Sequence, residues 1–335
     1  LLGLGVPYGS APGPILAKIH PATYWSIVTL ILWGVATGGV GRFAARIVLA
    51  WPGVLLLGMG IALLVFHAAV VVHLPIAPPV DTFVLPLALY VALLQLDRPD
   101  RDRLETRVHV VMALNALLGS VEYASGWRLT PAFDPDGTMQ TFDWRSTAFF
   151  GHPLANAFVT GNYVVALAFG GGSRLPVGWR FVLGAVNGLA LIAFGGRVAM
   201  VLAALAVVGA TVLGGLLLAA GRRFSLRDAI FAIGFVTAAI LLTVVLVDAG
   251  GADRFLERFS DDQGSAKTRL SMFRVFGSLS WEQFLLWPDA ELVAQAQREY
   301  SVRIGIESSE VGFVANFGLI VSVVFFGTLA AFLRD

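Results

Sequence analysis

The chain has 335 residues, 57% of them hydrophobic and 13% charged, against roughly 25% charged in an average soluble domain, so it lacks the polar surface of a water-soluble globule. Its 23 basic and 22 acidic residues leave a net charge of +1, which excludes the broad positive field of a nucleic-acid binder. Cysteine is absent, which excludes disulfides, thiolate metal sites and a cysteine nucleophile.

The apolar residues fall in runs long enough to cross the roughly 30 Å of a bilayer's hydrocarbon at about 1.5 Å per residue. In chain order the predicted spans are Tyr24 to Val40, Ile47 to Val72, Val80 to Leu96, Val108 to Tyr123, Pro153 to Phe169, Trp179 to Phe194, Val198 to Ala220, Ala229 to Val247 and Val311 to Leu333. The expected fold is therefore all-α, a polytopic transmembrane bundle of about nine spans forming one membrane domain. Pro52, Pro86, Gly184, Gly188 and Gly209 do not break these helices, because neighbouring helices satisfy freed backbone groups and small residues allow close approach.

Orientation follows from arginine and lysine in the short connections. One alternate set carries Arg42, Arg46, Arg98, Arg101, Arg103, Arg107, Arg174, Arg180, Arg222, Arg223, Arg227 and Arg334, which marks the cytoplasmic side. Leu1 then lies outside. A start without methionine reads as a fragment, with one or three spans expected upstream. Two connections exceed what a link requires, Ser125 to Gly151 and Asp248 to Ser309, and both fall on the outer face, where function is expected. In the larger, Arg269 to Phe284 and Glu291 to Tyr300 predict two short helices at the membrane surface, with Trp281 and Trp287 suited to the headgroup region.

The outer face collects Asp143, Arg145, His152, Arg197, Arg269, Arg274, Glu307 and Glu310. A planar, permanently charged guanidinium grips phosphate oxygens in a bidentate fork, so arginines converging on one cavity point to a phosphate or pyrophosphate. Arg197 follows Gly195 and Gly196 in a very short turn, so it either contacts a ligand or anchors headgroups. His152 precedes Pro153 at the mouth of a span and either caps the helix or accepts a proton near pH 7. Glu307 and Glu310 open the last span. Each either complements the helix dipole or, half-desolvated beside arginines, serves as a base for a sugar hydroxyl.

Asp81, Glu122 and Asp248 read as solvated acids at span ends, and Asn115, Asn156, Asn162 and Asn187 as interhelical hydrogen bonds. His67, His73 and His109 stand isolated, so neither metal nor cofactor is expected.

Three stretches resemble the O-antigen ligase and polymerase superfamily, polytopic enzymes that act on lipid-linked glycans at the outer face of the bacterial inner membrane. They are Arg145-Ser-Thr-Ala-Phe-Phe-Gly-His-Pro-Leu-Ala-Asn156, Gly195-Gly-Arg-Val-Ala199 and Lys267-Thr-Arg-Leu-Ser-Met-Phe273. The family's ligases carry a histidine next to an asparagine late in the large loop. Glu307-Ser-Ser-Glu-Val-Gly-Phe313 stands there instead and looks more like the polymerase branch, and Gly312 to Ile320 is similar to the glycine-bearing last helix of both.

The resemblance implies a metal-independent membrane glycosyltransferase that uses an undecaprenyl-pyrophosphate-linked glycan. On that reading Arg145, Arg197 and Arg269 bind pyrophosphate, with Arg274 and Glu307 as secondary candidates and Glu310 or His152 as base. The expected function is polymerisation of exopolysaccharide or O-antigen repeat units, with ligation of a finished glycan as the alternative. A secondary transporter is the rival from another class. Expected partners are the lipid-linked glycan, membrane lipid and other polysaccharide-assembly proteins, with no nucleic acid.

Overall fold

A computed structural model describes residues 18–130, 145–172, 174–221, 234, 271–300 and 309–335. In chain order the helices are α1 (Pro21–Ala36), α2 (Val40–Ala50), α3 (Pro52–Val71), α4 (Ala77–Leu94), α5 (Arg98–Ser125), α6 (Pro153–Ala168), α7 (Val177–Phe194), α8 (Arg197–Ala219), α9 (Trp281–Leu285), α10 (Ala290–Glu299), α11 (Ser309–Phe317) and α12 (Leu319–Arg334). No strand occurs among the described residues. Proline stands in the first turn of α1, α3 and α6, where its missing N–H has no helical partner to lose.

Four of these helices, α3, α4, α5 and α8, are long and apolar enough to cross a bilayer. A fifth span results if α1 and α2, bent by 102°, are taken together. Three shorter apolar helices, Pro153–Ala168, Gly178–Phe194 and Leu319–Arg334, cover most of the remaining predicted spans, and the predicted span Ala229 to Val247 lies outside the described residues. Helix α8 exposes Leu205, Val208, Val212 and Leu216. A helix apolar around nearly its whole circumference and little buried by protein suits a lipid environment.

The contacts divide the chain into two compact units. One combines α1 to α4 with α9 to α12. Its core is Leu57, Ile61 and Leu64 of α3 against Val321 and Phe325 of α12, with the Phe83 ring edge-on to Phe325 at 4.6 Å. Small residues permit this approach: a side chain on Gly60 would collide with Thr328. The Gly53 N–H donates to the Asp335 carboxylate at 2.9 Å.

Backbone irregularity is concentrated in this unit. Residues His67–Val71 and Val80–Val84 are wound as π-helix. Asp81, expected to be solvated, accepts the His20 N–H at 3.0 Å and the Thr23 hydroxyl at 2.7 Å, so it pins the start of α1. Of the two short helices expected in the large loop, Glu291 to Tyr300 is α10, capped by Asp289, whereas Arg269 to Phe284 is not one helix: a 3₁₀ turn at Val275–Ser278 and extended Leu279 precede α9, which a Ser280/Gln283 capping box opens. Phe273, Trp281 and Trp287 are exposed beside them.

The second unit contains α5 to α8. Ala116, Ala148, Ala157, Val164, Ala190, Leu191, Phe194 and Ala203 form its main core. Gly161 and Gly196 of the α6–α8 contact lie against Ala199 and Ala157, so α6 and α8 run parallel, with α7 antiparallel between them in sequence. Gly119 of α5 lies against the Phe194 ring. One end of the unit thus gathers the C-terminal ends of α5 and α7 and the N-terminal ends of α6 and α8.

The span predicted from Val311 is interrupted. Gly318 has φ 79° between α11 and α12, and a Cβ there would lie 2.8 Å from the Leu285 carbonyl oxygen. Both the left-handed conformation and the close backbone approach demand glycine. Gly318→Ala is expected to destabilise the protein by about 1–3 kcal/mol, read as a lowered thermal midpoint in detergent.

Candidate functional site

The end of the α5–α8 unit is organised by a carboxylate. Glu122, in the last turn of α5, is fully buried, which corrects the expectation of a solvated acid. Its Oε1 accepts the Leu129 N–H at 2.8 Å, and its Oε2 accepts the N–H groups of Thr147 and Ala148 at 2.8 and 3.0 Å. Amides on both sides of the 131–144 segment therefore converge on one side chain. A buried carboxylate is tolerated when several donors replace its water.

Further bonds complete the turn over residues 145–152. Ser146 donates its hydroxyl to the Gly119 carbonyl at 2.6 Å and its N–H to the Ala193 carbonyl at 3.0 Å. Thr147 donates its hydroxyl to Thr130, and the Arg128 Nε donates to the Arg145 carbonyl. Asn115 accepts the Phe149 N–H at 3.1 Å, while Asn156 donates to the carbonyls of Thr147 and His152.

Asn115 and Asn156 were expected to join helix to helix; instead they hold the turn. Asn162 and Asn187 bond back to their own helices at Phe158 and Leu183. Ala148 is held at φ 36°, a conformation costly for a residue with a Cβ.

This network sets where Arg145, His152 and Arg197 stand. Arg145 precedes the Ser146 amide that bonds Ala193, four residues before Arg197 in the turn closed by Gly195 at φ 68°. Gly196 packs against Ala157 so closely that any side chain would collide. Both arginines are half-buried. Arg145 and Arg197 thus stand in two turns that meet where α6 and α8 begin, at the positive ends of two helix dipoles.

His152 occupies the N-cap position of α6 but makes no capping bond with its side chain. Partial burial, and secondarily the Arg145 guanidinium, push its imidazole below the ordinary value of 6.5. The ring is therefore neutral near pH 7 and able to accept a proton.

The remaining predicted site residues fall elsewhere. Arg269 and Glu307 lie outside the described residues. In the other unit, Arg274 is exposed ahead of the short 3₁₀ turn Val275–Ser278. Glu310 is exposed in the first turn of α11, and Met272 packs on the neighbouring Val311, which brings the Arg274 and Glu310 segments side by side.

Against known protein families, curated proteins and solved structures, the chain has no match. The site's chemistry therefore rests on the residues themselves.

Sequence reasoning missed Glu122, Arg128, Ser146 and Thr147. A signal existed, since Ser146 and Thr147 are polar residues followed directly by an apolar run, but Gly119, which Ser146 bonds, and Glu122, which the Thr147 N–H bonds, lie 27 and 25 residues away.

Glu122→Gln puts an amide N–H against one of the three backbone donors, leaving that donor unsatisfied. It is expected to cost about 1–3 kcal/mol, measurable as a lowered thermal midpoint. In NMR titration His152 is expected to titrate below 6.5, and Arg145→Gln to move its midpoint up without reaching 6.5, because burial is the larger cause. The unfolded chain binds this proton more readily, so the His152 contribution to stability is retained above about 6.5 and lost as pH falls through the lower, folded value.

Proposed function

We propose that the chain transfers a glycan from a polyprenyl-pyrophosphate donor to a sugar acceptor at the non-cytoplasmic face of a bacterial inner membrane, most simply as a polymerase of surface-polysaccharide repeat units. The observation that carries this reading is the convergence of the Arg145–His152 turn and the Arg197 turn where two helices begin. The resemblance of these same two turns to the O-antigen ligase and polymerase superfamily supports it independently.

In the proposed reaction the acceptor hydroxyl attacks the anomeric carbon, a glycosidic C–O bond forms, and the bond from that carbon to pyrophosphate breaks. Arg145 and Arg197 offset the charge that develops on the departing pyrophosphate, a role the resemblance also implies for Arg269. The hydroxyl proton passes to a base. His152, neutral near pH 7 and beside Arg145, is the base this turn supplies, and Glu310 is the alternative that the resemblance implies. Apolar helix faces accommodate the polyprenyl chain.

A second reading, a secondary transporter, is favoured by the discontinuous helix at Gly318 and the bend between α1 and α2. Interrupted helices in transporters expose free backbone groups to a substrate or ion. The charged candidates at helix ends, rather than within spans, favour the enzyme.

Separate Arg197→Ala and Arg269→Ala variants, expressed at wild-type level, are expected to lower polymer formation by about 10²-fold or more, with single repeat units accumulating. Activity in membranes treated with EDTA should persist. Unchanged long-chain polymer in both variants excludes the pyrophosphate role, and substrate uptake into proteoliposomes without chain growth would establish the transporter instead.

A further inference from the structure

In the unit that combines α1 to α4 with α9 to α12, the ends of four helices share one level. Phe43 and Ile47 of α2 pack with Leu30 and Trp33 near the end of α1, Val54 in the first turn of α3 and Val91 in the last turn of α4. The Gly53 N–H bonds Asp335, just past the end of α12. With α3 and α4, both long and apolar enough to cross a bilayer, this shared end is a boundary between hydrocarbon and water.

Helix α2 crosses that end instead of continuing α1, from which it departs by 102°. Two glycines make the corner, Gly38 at φ 100° and Gly39 at φ 116°, conformations that a residue with a Cβ rarely adopts. Gly34 lets the chain fold back closely: a Cβ there would lie 3.1 Å from the Val40 Cα. Arg46 then donates to the Thr37 carbonyl at 3.2 Å, and Trp51 and Pro52 turn the chain directly into α3. Both ends of α2 are thereby tied to the bundle.

The faces of α2 differ. Phe43 and Ile47, four residues apart, are buried against the protein. Arg42 and Arg46, also four apart, form an exposed row, and Val40, Ala44 and Val48 form an apolar row on the side away from the arginines. No acid stands between residues 37 and 51, so the row carries uncompensated positive charge within its own segment. Trp33 and Trp51, half-buried beside it, are of the type that favours a membrane interface.

A soluble anion would satisfy the arginines and leave the apolar row in water. Hydrocarbon would satisfy the row and strand two guanidinium groups. A phospholipid offers phosphate at one level and acyl chain at the next.

We propose that α2 lies in the headgroup layer and that Arg42 and Arg46 bind the phosphate of an anionic phospholipid, with Val40, Ala44 and Val48 resting on its acyl chains. Residues four apart on a helix have Cβ atoms about 5–6 Å apart, within reach of one phosphate for two guanidinium groups. Arg46 keeps further N–H donors after its bond to Thr37. The site belongs to a different unit from the Arg145 and Arg197 turns and is independent of glycan transfer.

The chain has no cysteine, so Ala44→Cys and Leu49→Cys each carry a single spin label. Leu49 lies on the arginine side and is 84% exposed. In nanodiscs of phosphatidylglycerol and phosphatidylcholine, the Ala44 label is expected to favour collisions with oxygen, which concentrates in hydrocarbon, and the Leu49 label those with a water-soluble nickel chelate. Any result without that difference overturns the placement of α2, and both arginines are intact in this measurement.

The second arm reads the headgroup. Replacing pure phosphatidylcholine by the mixture is expected to raise the thermal midpoint of the wild-type chain, and Arg42→Gln, which leaves the Arg46 bond to Thr37 in place, to reduce that gain by roughly 2 °C. Arg42→Gln with Arg46→Gln reduces it further. A gain undiminished in the Arg42→Gln variant overturns the phosphate contact. Inorganic phosphate added to phosphatidylcholine nanodiscs is expected to leave the midpoint unchanged; an Arg42-dependent rise there makes the site one for a free anion and overturns the lipid as its occupant.

Discussion

The α5–α8 unit depends on the enclosure of the Glu122 carboxylate. A negative charge in the last turn of a helix lies on the unfavourable side of the macrodipole, and its burial there removes water as well. Three backbone N–H groups, from Leu129, Thr147 and Ala148, replace that water. Their convergence decides where the chain must pass before α6 can begin. The Ala148 conformation, the Ser146 bonds to Gly119 and Ala193, and the placement of Arg145 and His152 all follow from it.

Packing within each unit obeys a second constraint. Between helices in lipid there is little hydrophobic drive for association, so contact depends on close approach at small residues. Gly119 under Phe194, Gly161 against Ala199 and Gly196 against Ala157 serve this purpose in one unit. Gly60 against Thr328 and Gly53 beside Phe332 and Asp335 serve it in the other. Where the chain departs from regular helix, at Gly318 and over His67–Val71 and Val80–Val84, its backbone groups need partners from neighbouring protein.

Electrostatics at the head of the α5–α8 unit is collective rather than pairwise. Two helix N-terminal ends carry positive partial charge there, while the Glu122 carboxylate is occupied by backbone donors. Burial, and secondarily the Arg145 guanidinium, push the His152 imidazole below its ordinary value. The proposed glycosyl transfer asks for this combination, cationic groups for a leaving pyrophosphate and a proton acceptor within a few residues.

Hydrophobic run length alone determined that the chain is helical and suited to a bilayer, because length and apolarity are local properties of a segment. The turn at Gly195–Arg197, the opening of α6 at Pro153 and the short helix from Ala290 were legible for the same reason: glycine, proline and capping residues act on their neighbours. The role of Glu122 was not legible. As a lone acid at a span end it looks solvated, and only folding brings the Leu129, Thr147 and Ala148 amides to it. The division of the last span at Gly318 was hidden too, since the backbone that forbids a Cβ there belongs to Leu285. Sequence fixes what a residue can offer; the fold decides which distant group receives it.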